Sequence, residues 1–174
     1  MANLRVQKND FLVLEVAKKI KQSHPDWTFH LVGKDFEDDY SKKIKTMILD
    51  FNLESTVFVY GSRNDIKNIL EQSAIGILTS QSEGLPVALL EYGLFKKPVV
   101  VTNVGEIPLV IQDGINGFVV ETNSEQLVYD SLVKLMESDT LRLHFGNELQ
   151  KTIGNNYSEQ AVIQQYSNWI KTSI

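Results

Sequence analysis

Residues 74–102 read AIGILTSQSEGLPVALLEYGLFKKPVVVT, and this stretch decides the fold. Residues 74–78 form an uninterrupted apolar run of strand length, and a second apolar run at residues 98–101 overlaps a predicted strand at residues 99–102. Between them, a polar loop leads into a predicted helix at about residues 86–94. Strands that are apolar along their whole length are typical of parallel sheets, because both faces of such sheets are covered. The stretch therefore predicts a β-α-β unit.

The alternation of strands and helices continues on both sides of this unit. Further strands are predicted at residues 4–6, 27–32, 57–60 and 118–120. The other predicted helices are residues 11–23 with Asp10 as N-cap, a helix that opens at Asp38 or Asp39, residues 65–72, and three near 124–137, 139–152 and 158–172. On the last helix, Tyr166 and Trp169 are expected to lie in the core. The pattern predicts an α/β fold, a Rossmann-like doubly wound parallel sheet, which binds ligands at the carboxyl ends of its strands.

The composition is that of one folded domain. A chain of 174 residues is long enough to build a single core, burying roughly 70% of the surface that its unfolded form exposes. The sequence contains no Cys, which excludes disulfides, thiolate metal sites and cysteine nucleophiles. Its net charge of -5 argues against a broad nucleic-acid-binding surface. No apolar run approaches the ~20 residues of a membrane-spanning helix. We expect residues 1–174 to form a single soluble domain.

The loop after residue 78 has the features of an anion-binding site. Gly84 allows the backbone to approach a ligand closely. Pro86 suits the first helical turn. The N–H that proline lacks would have no partner inside the helix at this position. The N–H groups of Leu85, Val87 and Ala88 would then face outward at the positive end of the helix dipole. Such an arrangement favours phosphate groups.

Two carboxylates accompany this helix. Glu83 precedes it and Glu91 lies within it, eight positions further on and roughly two helical turns away. They could flank a bound polyol and accept hydrogen bonds from its hydroxyls. In the simpler alternative, Glu83 caps the helix and Glu91 is a solvated surface charge. Paired Glu residues also suggest glycoside hydrolysis by an acid and a base, but the position of Glu91 inside the helix fits that reaction poorly.

Three motifs in this order resemble the retaining glycosyltransferases of group 1, or family 4, which have the GT-B architecture. The motifs are Ser80 followed by Glu83-Gly84-Leu85-Pro86-x4-Glu91, then Lys97-Pro98-Val99-Val100-x-Thr102, then Asp113-Gly114-x-x-Gly117-x-x-Val120. The resemblance runs from about residue 3 to about residue 135. It covers the C-terminal, donor-binding half of such an enzyme.

The resemblance implies a binding site for a nucleoside diphosphate sugar, the donor substrate. Glu83 would contact the donor sugar, the amides after Gly84 the sugar and diphosphate, and Glu91 the ribose hydroxyls. Gly61 would lie near the base. Neither a cofactor nor a metal ion is expected, and His24, His30 and His144 are too far apart in the sequence to suggest a metal site.

The resemblance also implies that the acceptor domain is missing. GT-B enzymes bind the acceptor in a separate N-terminal domain, so we expect this chain to be a fragment that transfers no sugar alone. The full-length enzyme is expected to act in the cytoplasm, in polysaccharide biosynthesis, with any contact to the inner face of the membrane made through the missing half.

Lys8 and Arg5 form a basic pair near the first predicted strand. Family members commonly place a Lys and an Arg here to neutralise the diphosphate leaving group, since fixed cations stabilise the charge that develops on it. Lys8 matches the family position. Arg5 stands three residues before Lys8, whereas many members place the Arg five residues before, where this chain has Asn3. A solvated basic surface is the alternative for both residues.

The chain also departs from the family pattern at two positions, and two other functions are compatible with its motifs. Glu106 and Leu109 stand where the family commonly has a Gly and an acid. A nucleotide-sugar epimerase also occurs on the GT-B fold, but it would need His and carboxylate groups that converge near the sugar. A non-catalytic nucleotide-binding module would keep the phosphate-binding residues and tolerate the loss of Glu83.

Overall fold

The computed structural model describes residues 1–172 and has an α/β architecture. The strands are β1 (Phe29–Leu31), β2 (Val57–Val59), β3 (Gly76–Leu78), β4 (Val99–Thr102) and β5 (Phe118–Val120). The helices are α1 (Asp10–Ser23), α2 (Asp39–Asp50), α3 (Ile66–Gln72), α4 (Val87–Leu94), α5 (Ile107–Val110), α6 (Glu125–Met136), α7 (Asp139–Asn156) and α8 (Glu159–Thr172), and a short 3-10 helix precedes α1 at Val6–Lys8. Among these elements, α5 and the 3-10 helix have no counterpart in the sequence-based prediction.

All strand pairs in the described residues are parallel, which confirms the predicted Rossmann-like class. β1 pairs with β2, and β3, β4 and β5 form a second sheet in that order. In the register of the second sheet, Gly76 lies opposite Val99, and Val100 lies opposite Phe118. The sheet is therefore split, since β1 and β3 are not hydrogen-bonded to each other.

Two apolar clusters hold the helices against these sheets. One joins α1, α2 and α6 to β1, with Leu14, Ile20 and Ile44 fully buried in it. The other joins α4 and α7 to β4, with Leu89 and Leu149 at its centre. Because the loops after β3 and β4 lead into α4 and α5, the second cluster fixes the edge of the sheet at which ligands are expected to bind.

The prediction of a strand at residues 4–6 is wrong. The chain bends at Leu4, whose N–H donates to the Lys34 carbonyl at 3.0 Å, and Val6 already belongs to the 3-10 helix. Asn9 then takes a left-handed conformation with φ of 55°, which turns the chain into α1. A strand could not continue through this turn.

Three expectations about helices also need correction. Asp10 is the first residue of α1 and not its N-cap, which is Asn9. Pro86 is the N-cap of α4, so the helix starts one residue later than expected. Tyr166 and Trp169 are each 62% exposed on α8, a helix that packs against α7 and has no buried residue among those described.

Candidate functional site

An ion pair joins the two loops that the sequence singled out. The Lys8 ammonium group contacts the Glu83 carboxylate at Oε1. The Ser80 hydroxyl donates to the same oxygen at 2.7 Å. The side chain of Glu83 is only 10% exposed and that of Lys8 24%. Three of the predicted site residues therefore meet in one largely buried cluster.

Backbone contacts hold this cluster in place. The Thr79 hydroxyl donates to the carbonyl oxygens of Lys8 at 3.0 Å and Asn9 at 3.2 Å. The N–H of Gln81 donates to the Gln7 carbonyl at 2.8 Å. The buried Thr102 hydroxyl, at the end of β4, donates to the Ser80 carbonyl at 2.6 Å. The segment 7–9, the loop after β3 and the end of β4 thus form one hydrogen-bonded unit.

Three amide side chains tie a fourth loop to this unit. Asn9 Nδ2 and Gln81 Nε2 both donate to Asn123 Oδ1, at 3.0 and 3.1 Å. Asn123 follows β5 and has a positive φ of 59°. Sequence reasoning missed Asn9, Thr79 and Asn123. The only available signal was their position directly before a helix or after a strand.

The loops after β3 and β4 lie against each other at Gly105. Its φ is 55°, and a Cβ atom at this position would lie 2.0 Å from the Glu83 carbonyl oxygen. The N–H of Glu106 donates to the Gly84 carbonyl at 3.3 Å. A Cβ at Gly84, in contrast, would meet no atom within 4 Å. Gly84 therefore faces open space, as a position for close approach of a ligand requires.

The start of α4 lies directly after this loop. The side chain of its N-cap, Pro86, forms no capping hydrogen bond, and the N–H of Leu89 donates to the Pro86 carbonyl at 3.0 Å. The first N–H groups of a helix lack partners inside the helix. Those of Val87 and Ala88 are therefore placed for an anion, and Val87 is exposed.

Glu91 lies half-buried on α4, outside the Lys8–Glu83 contact. Its charge acts on the Met1 amine, whose pKa burial lowers to about 6 while the Glu91 and Asp10 carboxylates act in the opposite direction.

Arg5 and Gly61 lie in neighbouring loops. The Arg5 guanidinium is 4.8 Å from the centroid of the Phe36 ring, and Lys34 Nζ is 5.0 Å from the same ring. Gly61 has a φ of 65°, and its carbonyl accepts from the Gly33 N–H at 3.0 Å. The Arg5 carbonyl accepts from the Lys8 N–H at 2.8 Å, but the Arg5 side chain and Gly61 are not among the partners of the Lys8 and Glu83 side chains. Their roles stay predictions.

A buried acid lies behind the cluster. The Asp10 N–H donates to the Tyr40 hydroxyl at 2.8 Å, and that hydroxyl lies 3.2 Å from Asp10 Oδ2. Burial raises the pKa of the Asp10 carboxyl to about 6, although the Tyr40 hydrogen bond acts against this shift. Burial and the Asp10 charge also raise the pKa of Tyr40. Sequence reasoning missed this pair because Asp at a helix start is usually a cap.

In residues 1–172, no three His, Asp or Glu side chains are grouped as a metal site would require. Within the same range, no helix combines the length and the apolar character needed to cross a membrane.

Comparison with known proteins decides the family. The family model "Glycosyl transferases group 1" matches residues 1–152. The chain belongs to this family. The poly(ribitol-phosphate) alpha-N-acetylglucosaminyltransferase of Staphylococcus aureus strain COL is 30% identical over 158 residues, which are 90% of this chain but 31% of that protein. The chain thus spans about a third of the length of this relative.

Solved structures confirm the fold. A TarM mutant of S. aureus, in complex with fondaparinux, alpha-GlcNAc-glycerol and UDP, has a TM-score of 0.86 at 28% identity, covering 95% of this chain and 33% of that one. The C-terminal domain of a group 1 family protein, LpcC from Francisella tularensis, has a TM-score of 0.83 at 25% identity. That match covers 92% of this chain and 85% of the other. The chain therefore has the size and fold of a C-terminal domain of the GT-B type.

The Asp10 carboxyl generates a prediction about pH. Its pKa rises from 3.8 to about 6 on folding, so the folded chain holds the proton more tightly than the unfolded chain. This group therefore stabilises the fold below about pH 4, and its contribution falls as the pH rises to about 6. The shift of about two pH units corresponds to roughly 3 kcal/mol at most. In Asp10→Asn, we expect this decrease in the free energy of unfolding between about pH 4 and 6 to be absent. Urea unfolding at each pH measures it.

The exposed Asp50→Asn variant is the control and keeps the wild-type profile. An Asp10→Asn profile that runs parallel to the wild-type profile between pH 4 and 6 would show that Asp10 is not the titrating group.

Proposed function

We propose that this chain is the donor-binding domain of a retaining glycosyltransferase. In the full-length enzyme, the proposed reaction transfers a sugar from a nucleoside diphosphate sugar to an acceptor hydroxyl. The observation that carries the proposal is the cluster of Lys8, Ser80 and Glu83 beside the start of α4, at the carboxyl end of β3. Family membership and the UDP in the TarM complex support it.

Lys8 and the first amides of α4 would bind the diphosphate. As the glycosidic bond breaks, negative charge grows on the leaving phosphate, and a fixed ammonium group and helix N–H groups stabilise it there. In the unliganded chain, Glu83 neutralises Lys8. A bound diphosphate would compete with Glu83 for the ammonium group, and Arg5 would add a second cation if its side chain leaves Phe36.

Glu83 would orient the donor sugar. Its carboxylate is held by the Ser80 hydroxyl and by Lys8, so it lies in a defined position before any ligand arrives. Once a diphosphate engages Lys8, the carboxylate can accept hydrogen bonds from sugar hydroxyls. Gly84 and Leu85 provide the backbone surface beside it, because Gly84 carries no side chain and faces open space.

Glu91 would hold the ribose hydroxyls, and the loop at Gly61 would lie near the base. A half-buried carboxylate forms stronger hydrogen bonds to hydroxyls than an exposed one, since water competes less.

The acceptor would bind to a second domain, with which this chain would form the catalytic cleft. We place the full-length enzyme in the cytoplasm, at the inner face of the membrane where its acceptor requires it.

Nucleotide binding to variants tests these roles. We expect Glu91→Ala to weaken the binding of both UDP and uridine by about 10- to 100-fold, since hydrogen bonds to a charged group contribute roughly 1.5–3 kcal/mol. Lys8→Ala should weaken UDP binding alone, because uridine has no phosphate. Calorimetry measures UDP binding, and NMR titration measures the weaker uridine binding.

The control is Glu54→Ala, which removes an exposed carboxylate from the turn before β2 and should bind both ligands like the wild type. Equal affinities of Glu91→Ala and wild type for both ligands would refute the ribose role. An equal loss of both ligands in Lys8→Ala would refute the phosphate role.

The chain alone is expected to transfer no sugar. With UDP-sugar donors and soluble acceptors, we expect UDP release no faster than in a sample without protein, because the acceptor would bind to a second domain. A coupled UDP-release assay, with product analysis by mass spectrometry, measures this. Turnover of donor into a glycoside by residues 1–174 would overturn the two-domain account.

A further inference from the structure

The segment that carries Lys8 has little structure of its own. Lys8 is the last residue of the 3-10 helix at Val6–Lys8, and Asn9 then turns the chain through a left-handed conformation. No residue of this short helix is buried. The last carbonyl groups of a helix have no partners inside the helix, and a three-residue helix consists almost entirely of such ends. The position of Lys8 therefore depends on the groups to which these carbonyls bond.

The loop after β3 supplies the partners of these carbonyls. The Gln81 N–H donates to the Gln7 carbonyl at 2.8 Å. The Thr79 hydroxyl donates to the Lys8 carbonyl at 3.0 Å and to the Asn9 carbonyl at 3.2 Å. Within residues 1–172, the hydroxyl of Thr79 is the only donor to the Lys8 carbonyl. Thr79 is thus the residue that fixes the backbone at Lys8 itself.

Thr79 lies below the surface that a ligand would reach. It is 4% exposed and follows β3 directly. The Lys8 side chain, in contrast, is 24% exposed. A phosphate group in the candidate site would therefore meet the ammonium group of Lys8 and not the hydroxyl of Thr79. Any effect of this hydroxyl on ligand binding must pass through the backbone that it holds.

The same loop also holds the other end of Lys8. The Lys8 ammonium group contacts Glu83 Oε1, which accepts from the Ser80 hydroxyl at 2.7 Å. Lys8 is therefore held twice, at its carbonyl by Thr79 and at its ammonium group by Glu83. A diphosphate that displaces Glu83 removes the second contact and leaves the first one in place. The Thr79 hydrogen bond is the one that persists in the liganded state.

We infer that Thr79 is a positioning residue for diphosphate binding. Its hydroxyl fixes the backbone at Lys8, so that the ammonium group stays within reach of the phosphate oxygens after Glu83 releases it. The inference rests on the proposed function, because it assumes that Lys8 binds the diphosphate. Ordering a long lysine side chain costs conformational entropy, and a backbone that is already fixed lowers this cost before the ligand arrives.

Variants at Thr79 separate the hydroxyl from the rest of the side chain. Thr79→Ser and Thr79→Ala differ from each other only by the hydroxyl group. We expect Thr79→Ser to bind UDP like the wild type. Thr79→Ala should bind UDP about 10-fold more weakly, which is the lower end of the effect of a hydrogen bond to a charged group. Uridine has no phosphate, so its binding should be equal in all three chains.

Calorimetry measures the UDP affinities, and NMR titration measures uridine. Thr79→Val, which keeps the volume of the side chain, is the second variant without a hydroxyl if Thr79→Ala does not fold. The control for loss of stability is Thr152→Ala. It removes a hydroxyl of α7 that donates to the Glu148 carbonyl at 3.0 Å and accepts from Asn116 at 3.1 Å. This control should lower the urea midpoint of unfolding and leave the UDP affinity unchanged.

A double variant tests the route through Lys8. In the Lys8→Ala background, Thr79→Ala should change the UDP affinity by no more than about 2-fold, because effects that act through one contact do not add. A full additional loss in this background overturns the inference. Equal UDP affinities of Thr79→Ser and Thr79→Ala, or a matching loss of uridine binding in Thr79→Ala, overturn it as well.

Failure of the proposed function gives a different result, since Lys8→Ala then binds UDP like the wild type. In that case the unliganded chain decides whether Thr79 positions Lys8. We expect the ¹⁵N resonance of the Lys8 ammonium group to be the same in the wild type and Thr79→Ser, and shifted or broadened in Thr79→Ala. An identical resonance in all three chains shows that Thr79 does not position Lys8.

Discussion

The Lys8–Glu83 ion pair is the contact on which the candidate site depends. Charges that leave water are costly unless they are paired and hydrogen-bonded. Here the Glu83 carboxylate pairs with the Lys8 ammonium group and accepts a hydrogen bond from the Ser80 hydroxyl. Because of these contacts, the segment before α1 is held against the loop after β3. The Thr79 hydroxyl reinforces the same junction through two backbone carbonyls. The geometry at the start of α4 follows from this junction, because residues 79–86 run directly from it into the helix.

The sequence predicts the elements whose signals are local. β4 and β5 have the predicted bounds, since each is a short apolar run between turn residues. Lys8, Ser80 and Glu83 were named from their motifs, and the structure brings them together. The GT-B family was recognised from the same motifs and is confirmed by the family model.

Features that depend on contacts between residues far apart in the sequence could not be predicted. Residues 4–6 look like a strand, but a 3-10 helix begins at Val6, and the left-handed Asn9 then turns the chain into α1. Asp10 looks like a cap, and only tertiary structure places it against Tyr40. The apolar pattern of α8 does not say whether a surface exists to cover it, and Tyr166 and Trp169 are exposed in the described residues.

Chemical-shift mapping of bound UDP locates the nucleotide-binding site on the chain. In amide spectra of the ¹⁵N-labelled chain, we expect UDP to shift the resonances of Lys8, Gly84, Val87 and Ala88 most strongly. The amides of α8, on the far side of α7, should be unaffected. Shifts centred on another part of the chain, or no saturable shifts at millimolar UDP, would contradict the account.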